Sequence, residues 1–530
     1  MQRASRTAKA SSKKQVTQTT RWRVFGVAFA ALLVPMILWS LASPLGSIPD
    51  EPSHFVRAAA VVRNEAVSPA SPENPALAEA EVPRYVDRLH SWICYARNPT
   101  VTPACIVPDG LDSQQSVSSV TSAGTNSPVF YAVVGLPTLV LEGVPALYAM
   151  RIVDSLLCAA MLAFGIMQLR SLTRSRWAVA GAVIGVTPMV FYLAGSVNPN
   201  GVEAASAVAL LSTLIALVRT PDASARMQWE RAFGVIAVLT LLLGAKSLAF
   251  LWLLVIIVAV LAFVRRNDLA RVVRQPPVIV LLAGSAIVSL VSLVWFTHPP
   301  HYEVGDIEPV SAASAFASML GRNFEFVDGY VGVFGWLDTG SPQFTLMVWA
   351  AIIVAFAIAA FVWGAGRART VAIGLAVVLI AAPPVIQAVL APQVGYIWQG
   401  RYMLAIVLCF LVVSGMALDD AALPRALSVR WKQVAMIALG LMVAGQVFSF
   451  AWVLRRYVVG MDGSIASMVT STEWQPPLGW ITLTALLALW LIGSAVVIYR
   501  SVLADKWEAE PAASITEAPA PKGDAAQYAS

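Results

Sequence analysis

The sequence is short of charge. Lys, Arg, Asp and Glu make up 12% of its 530 residues, about half the share of an ordinary water-soluble domain. That scarcity excludes a soluble enzyme. Nucleic acid is excluded as a partner too, although the formal net charge is +6, because the basic residues stand in short segments between apolar runs and not together on one soluble surface. Histidine and cysteine are also rare, four of each, and no Cys/His set has the spacing of a zinc site. No glycine-rich phosphate loop is present (GAGRAR at 364–369 fits neither nucleotide fingerprint), and there is no Gly-x-Ser-x-Gly elbow. The chain therefore carries no soluble domain for a nucleotide.

Apolar residues fill the space instead: 58% of the chain, with mean hydropathy +0.71. This is the composition of an all-α integral membrane protein. A tail with seven basic residues and no acid (1–23) precedes an apolar run at 24–42. A basic start and small residues at 41–43 also match a cleaved signal peptide, but the tail is long and the run reaches the ~20 residues that a span requires. Further runs fall near 146–169, 177–195, 202–218, 232–246, 248–264, 277–297, 344–363, 371–390, 402–418, 433–453 and 479–499. The stretch 232–264 would be about 50 Å long as one helix, against a core of ~30 Å, so it reads as two short helices turning at GAKS. About twelve spans result, with a polytopic domain at 24–500. The Pro-broken apolar stretch after Ser127 reads as re-entrant or interfacial, and the Ala-, Pro- and acid-rich tail 501–530 as disordered.

This threading places 25 of the 36 Lys and Arg on one side, which the positive-inside rule makes cytoplasmic, with both termini there and the protein multi-pass in the plasma membrane. The opposite face then carries a long first loop, 43–127, with short juxtamembrane helices, and a second at 298–343. Cys94 and Cys105 lie in the first loop and are expected to pair in an oxidising compartment; Cys158 and Cys409 fall in apolar runs.

Outside the first loop the basic residues on the wrong side are few: Arg151, Lys246, Arg322, Arg401, Arg455 and Arg456. A basic residue within a span costs roughly 2.5–3.5 kcal/mol on insertion scales. Arg401 is doubly disfavoured, since a helix starts there and its positive dipole end opposes the charge. An anion nearby would resolve both. Next to the first span, SIPDEPSHFVRAA (47–59) sets Asp50 and Glu51 between prolines, with His54 one turn on. Asp50 reads either as a plain N-cap or as a general base that Glu51 or His54 orients. The two carboxylates also offer oxygen ligands to a divalent cation, Mg²⁺ or Mn²⁺. Arg151 and Asp154, three apart on one helix, are expected to pair with each other. Lys246 at an outer turn reads as a phosphate ligand or a snorkelling anchor, and Tyr402 and Trp398 as interface residues. Arg455 and Arg456 end a helix, Asp338 sits in a Trp-containing turn, and Asn198 and Asn200 open a helix that carries Glu203.

Six segments in this order, IPDEPSHFVRAA (48–59), SPVFYAVVGLP (127–137), TPMVFYLAGSVNPNGVEAA (187–205), GAKS (244–247), GVFGWLDTGSP (332–342) and WQGRYMLAIV (398–407), resemble an actinobacterial polytopic membrane family of unknown function related to the GT-C glycosyltransferases. The resemblance runs from about 24 to 500. It implies a GT-C-like fold, a catalytic acid in the first outer loop, a polyprenyl-phosphate sugar as donor and a cell-envelope glycan or lipid as acceptor. On that reading Asp50, Glu51 and His54 are catalytic, while Lys246, Arg401, Tyr402, Arg455, Arg456, Asp338 and Asn198 bind substrate. Two other classes compete. A transporter or flippase of envelope precursors also has twelve spans, but would show a two-fold repeat and a long central loop, and neither is visible. A non-catalytic assembly partner would need no acid pair.

Overall fold

The computed structural model describes residues 18–109, 115–264, 266–300, 302, 310–421 and 425–503. Most of the basic tail and the C-terminal tail from 504, with the disorder expected of it, lie outside these residues.

In lipid a backbone must satisfy its own hydrogen bonds, and each of the twelve expected runs is helical. Among the described residues ten helices are long and apolar enough to cross a membrane singly, and a bent pair brings the number to eleven. The bent pair is the run at 177–195, which breaks into Arg176–Gly185 and Pro188–Ala194 at 68°. Pro188 supplies no N–H to continue the first half; Thr187 at the break donates its hydroxyl to Tyr330 O at 2.7 Å. The remaining run is Ala249–Phe263, only fifteen residues and about 22 Å at 1.5 Å per residue. Of the twelve or so expected runs, ten or eleven are thus long enough to span among the described residues, and one is a short apolar helix. After Ser127 the apolar stretch is two short turns, Pro128–Val134 and Leu136–Leu139, and no span.

Two helices, Pro199–Arg219 and Leu404–Asp419, are buried almost throughout and form the centre. Their neighbours approach closely because glycine allows it: a methyl group at Gly181 or Gly415 would overlap the facing backbone at Leu411 or Trp177. Pro276–Thr297 and Trp480–Ile498 are largely exposed and apolar, as expected of surfaces that meet lipid.

Alternating chain direction gathers 43–109, 115–142, 195–198, 246–248, 310–342, 395–403 and 459–479 at one end of the bundle. The first loop holds a two-stranded antiparallel ladder, Ala78–Pro83 with Ser116–Thr121. It also holds the expected Cys94–Cys105 disulfide and a short buried helix, Glu51–Val61. The opposite end is closed by ion pairs such as Arg21–Glu230 and Arg219–Asp420.

Candidate active site

The two adjacent acids part ways at the start of the Glu51–Val61 helix. Asp50 takes a left-handed backbone (φ 67°, ψ 0°) and makes no side-chain cap bond, so the N-cap reading fails. Its side chain is 52% exposed and points to Arg401, with Oδ2 3.5 Å from Nη2. Glu51, one residue on, is fully buried. Its Oε1 accepts from Arg151 Nε at 2.8 Å and Val197 N at 3.2 Å; its Oε2 accepts from Arg151 Nη2 at 2.6 Å and Gly46 N at 3.0 Å. A carboxylate has about four acceptor sites, and all are filled. Glu51 therefore has nothing left with which to orient Asp50.

Arg151 is correspondingly not the partner of Asp154. Besides Glu51 it donates to Ser40 O, Ser43 O and Pro44 O at 2.7–2.9 Å, tying the end of the first span to the helix start. Asp154 accepts from Asn198 N at 3.1 Å and Cys158 Sγ at 3.6 Å instead. Helix spacing put Arg151 and Asp154 near each other, but a partner 100 residues away holds the guanidinium better, through a bidentate fork.

His54 is buried, with Nδ1 2.9 Å from Tyr131 Oη. Burial pushes its imidazole down to about 3, opposed by Asp50 and assisted by Lys246 and Arg401. Asp50, Lys246 and Arg401 are thus the charges that act on the ring.

Facing Asp50 stands a cationic wall. Arg401 is 3% exposed, and its Nε and Nη1 have no partner among the described residues. A buried guanidinium with two idle nitrogens is costly. Beside it Lys246 Nζ donates to Asn200 Oδ1 at 2.7 Å and lies 4.7 Å from the centre of the Tyr402 ring, within cation–π range. Burial pulls this ammonium down to about 8, while Glu203 holds it up. Asn198 caps its helix and accepts from Asn200 Nδ2 at 2.7 Å, which aims Asn200 at the lysine. Trp398 packs edge-on against Tyr402 with ring centres 5.8 Å apart, and a cavity of about 220 Å³ is lined by Ser318, Met319, Arg322, Phe326, Tyr396 and Trp398. Tyr402 is thus a wall of the site and not only an anchor.

Three expected ligands are committed elsewhere. Arg456 is buried and donates to Tyr95 O, Asn98 O and Val101 O, all within the stretch closed by the disulfide or at its edge, and to Asp338 Oδ2 at 2.9 Å. Arg456 and Asp338 therefore lock the first loop onto the 332–342 turn. Arg455 donates to Gly463 O and Met461 O, closing the end of its own helix. Arg456 and Asp338 thus pair with each other, and Arg455 donates to backbone carbonyls of the turn that follows it. The sequence reading missed Tyr131 and Asn126, which hold His54, and Gln399, whose Oε1 is buried without a partner among the described residues. Only the position of Tyr131 in SPVFYAVVGLP could have marked it.

A divalent cation on Asp50 and Glu51 does not fit. Glu51 has no free lone pair, and among the described residues no group of three His, Cys, Asp or Glu could hold a metal.

Among solved structures the chain is similar to ArnT from Cupriavidus metallidurans bound to undecaprenyl phosphate, at 14% identity and TM-score 0.45 over 91% of this chain and 77% of that one. The apo form of ArnT matches at 13% and 0.40, over the same shares. That distance is too great to transfer residues. Comparison with curated proteins finds no match. The profile of the family described as "Predicted membrane protein (DUF2142)" matches residues 33–410, more than half of the chain, and the protein belongs to that family.

Proposed function

We propose that this is a membrane glycosyltransferase of GT-C type, moving a sugar from a polyprenyl-phosphate donor to a cell-envelope glycan or lipid at the outer face of the plasma membrane. The observation that carries the reading is the buried Arg401 guanidinium, two of whose nitrogens have no partner among the described residues, beside Lys246 and opposite the exposed carboxylate of Asp50. Two cations and one accessible base suit an anionic leaving group and a hydroxyl nucleophile. Asp50 takes the proton of the acceptor hydroxyl, and that oxygen forms a bond to the anomeric carbon. The bond from that carbon to the phosphate oxygen breaks, and its electron pair stays on the phosphate. Arg401 and Lys246 hold the charge as it develops, commonly the largest catalytic contribution. In the neighbouring cavity Met319, Phe326, Tyr396 and Trp398 offer the prenyl chain apolar contact, beside the polar Ser318 and Arg322. Glu51 keeps a structural role, and no step requires a metal.

Binding tests the phosphate site directly. Arg401→Met should weaken binding of farnesyl phosphate by tenfold or more, the loss of a charge-assisted bond of about 1.5–3 kcal/mol, while its melting temperature in detergent stays near the parent's. Unchanged affinity would remove the phosphate from this site. Profiling lipid-linked sugars and envelope glycans after gene deletion should show a donor accumulating.

Orientation is tested by labelling. The two native free thiols are buried, so a cysteine at Val107 should react with an impermeant thiol reagent in intact cells and one at Asp222 should not. Reaction at Asp222 alone would reverse the topology.

A further inference from the structure

Asn126, Tyr131 and His54 form a hydrogen-bonded chain behind the site. Asn126 Nδ2 donates to Tyr131 Oη at 2.8 Å, and Tyr131 Oη lies 2.9 Å from His54 Nδ1. Tyr131 is fully buried. Asn126 is held in place from both sides of its backbone, its N–H donating to Ala123 O and its carbonyl accepting from Arg57 Nη2 at 3.0 Å. An amide nitrogen only donates, so the phenol oxygen receives the Asn126 proton. The phenol's own proton then needs an acceptor. Within the described contacts that acceptor is Nδ1 of His54, which serves only if it carries no proton. Were Nδ1 protonated, the phenol oxygen would face two donors and its buried hydrogen would be left unpaired, the costly arrangement.

We propose that this chain fixes His54 as the neutral tautomer protonated on Nε2, and that this N–H donates to a phosphate oxygen of the lipid-linked ligand held by Arg401 and Lys246. Nε2 is the ring nitrogen that Tyr131 does not take, and the charges acting on the ring are those of Asp50, Lys246 and Arg401. A neutral donor adds a bond to the anion without placing a third cation beside two others. Tyr131 and Asn126 are then positioning residues, and His54 is not a base. The identity of the ligand rests on the proposed function; the tautomer does not.

The full-length protein in detergent, labelled with [¹⁵N]histidine, has four histidines, and His54 is assigned by its absence from His54→Gln. Its Nδ1 should resonate as an unprotonated nitrogen, and Tyr131→Phe should abolish that single tautomer. A protonated Nδ1, with the Asn126 amide turned over, would overturn the assignment, as would a tautomer indifferent to Tyr131→Phe. Farnesyl phosphate binding tests the ligand. His54→Gln, whose amide nitrogen reaches the Nε2 position, should stay within about threefold of the parent, and His54→Asn, which reaches only the Nδ1 position, should lose about tenfold. Equal affinities in the two variants would overturn the hydrogen bond to phosphate. Failure of the parent to bind farnesyl phosphate would overturn it together with the proposed function, while the nitrogen shifts would still decide the tautomer.

Discussion

Arg151→Met should destabilise the folded protein by about 3–5 kcal/mol, the cost of leaving one partner of a buried ion pair uncompensated. The size follows from how completely the pair is used. Both side chains are fully buried, and the guanidinium places all five of its N–H donors: two on Glu51 and three on the carbonyls of Ser40, Ser43 and Pro44. Truncation strands a carboxylate and three carbonyls together. Arg151→Lys should fare little better, because three donors on a flexible stem cannot replace a planar fork of five. Glu51→Gln should be milder in shape but similar in sign, since it removes the counter-charge and places an amide NH₂ against donors. The measurement is the melting temperature in detergent together with the monodisperse yield on size exclusion. A Glu51→Gln protein that melts like the parent yet has lost activity would return Glu51 to the catalytic residues.

This pair also shows where sequence stopped being informative. Hydropathy located every helix that crosses the bundle, because an apolar run of ~20 residues has few other uses. It did not see that Thr187–Pro188 would break one of them, although the length of 232–264 did mark the helix after GAKS as short. Charge bookkeeping picked out Arg151, Lys246, Arg322, Arg401, Arg455 and Arg456 as a set. It could not divide that set, because an arginine that binds a ligand and an arginine that locks a loop look alike in one dimension. What divides them is whether their donors are already used. Arg151 spends all five donors on carbonyls and Glu51, and Arg456 all but Nε on carbonyls and Asp338, whereas Arg401 leaves both Nε and Nη1 without a partner among the described residues. The same distinction separates Asp50 from Glu51. Adjacent in sequence, they are turned to opposite surroundings by one left-handed residue.

Asp50→Asn should leave the fold intact and lower turnover by roughly 10²–10⁴, the usual contribution of a general base. The structure strengthens the conservative half of this expectation. Asp50 makes no cap bond that the substitution would remove, and its φ of 67° is one that Asn tolerates as well as any residue with a side chain. Its only ion-pair partner among the described residues is Arg401, at 3.5 Å, so what is lost is charge and basicity at an exposed position. Binding of prenyl phosphate should be kept or slightly tightened, since Arg401 is freed from a competing carboxylate. Arg401→Lys should behave differently, losing donor affinity as well as turnover, because a point charge cannot span a phosphate as a fork does. The two variants are therefore separated by pairing a binding isotherm with a transfer assay using lipid-linked sugar. An Asp50→Asn protein that melts with the parent and turns over at the parent's rate would leave Asp50 as no more than a counter-ion for Arg401, and the site would need another base.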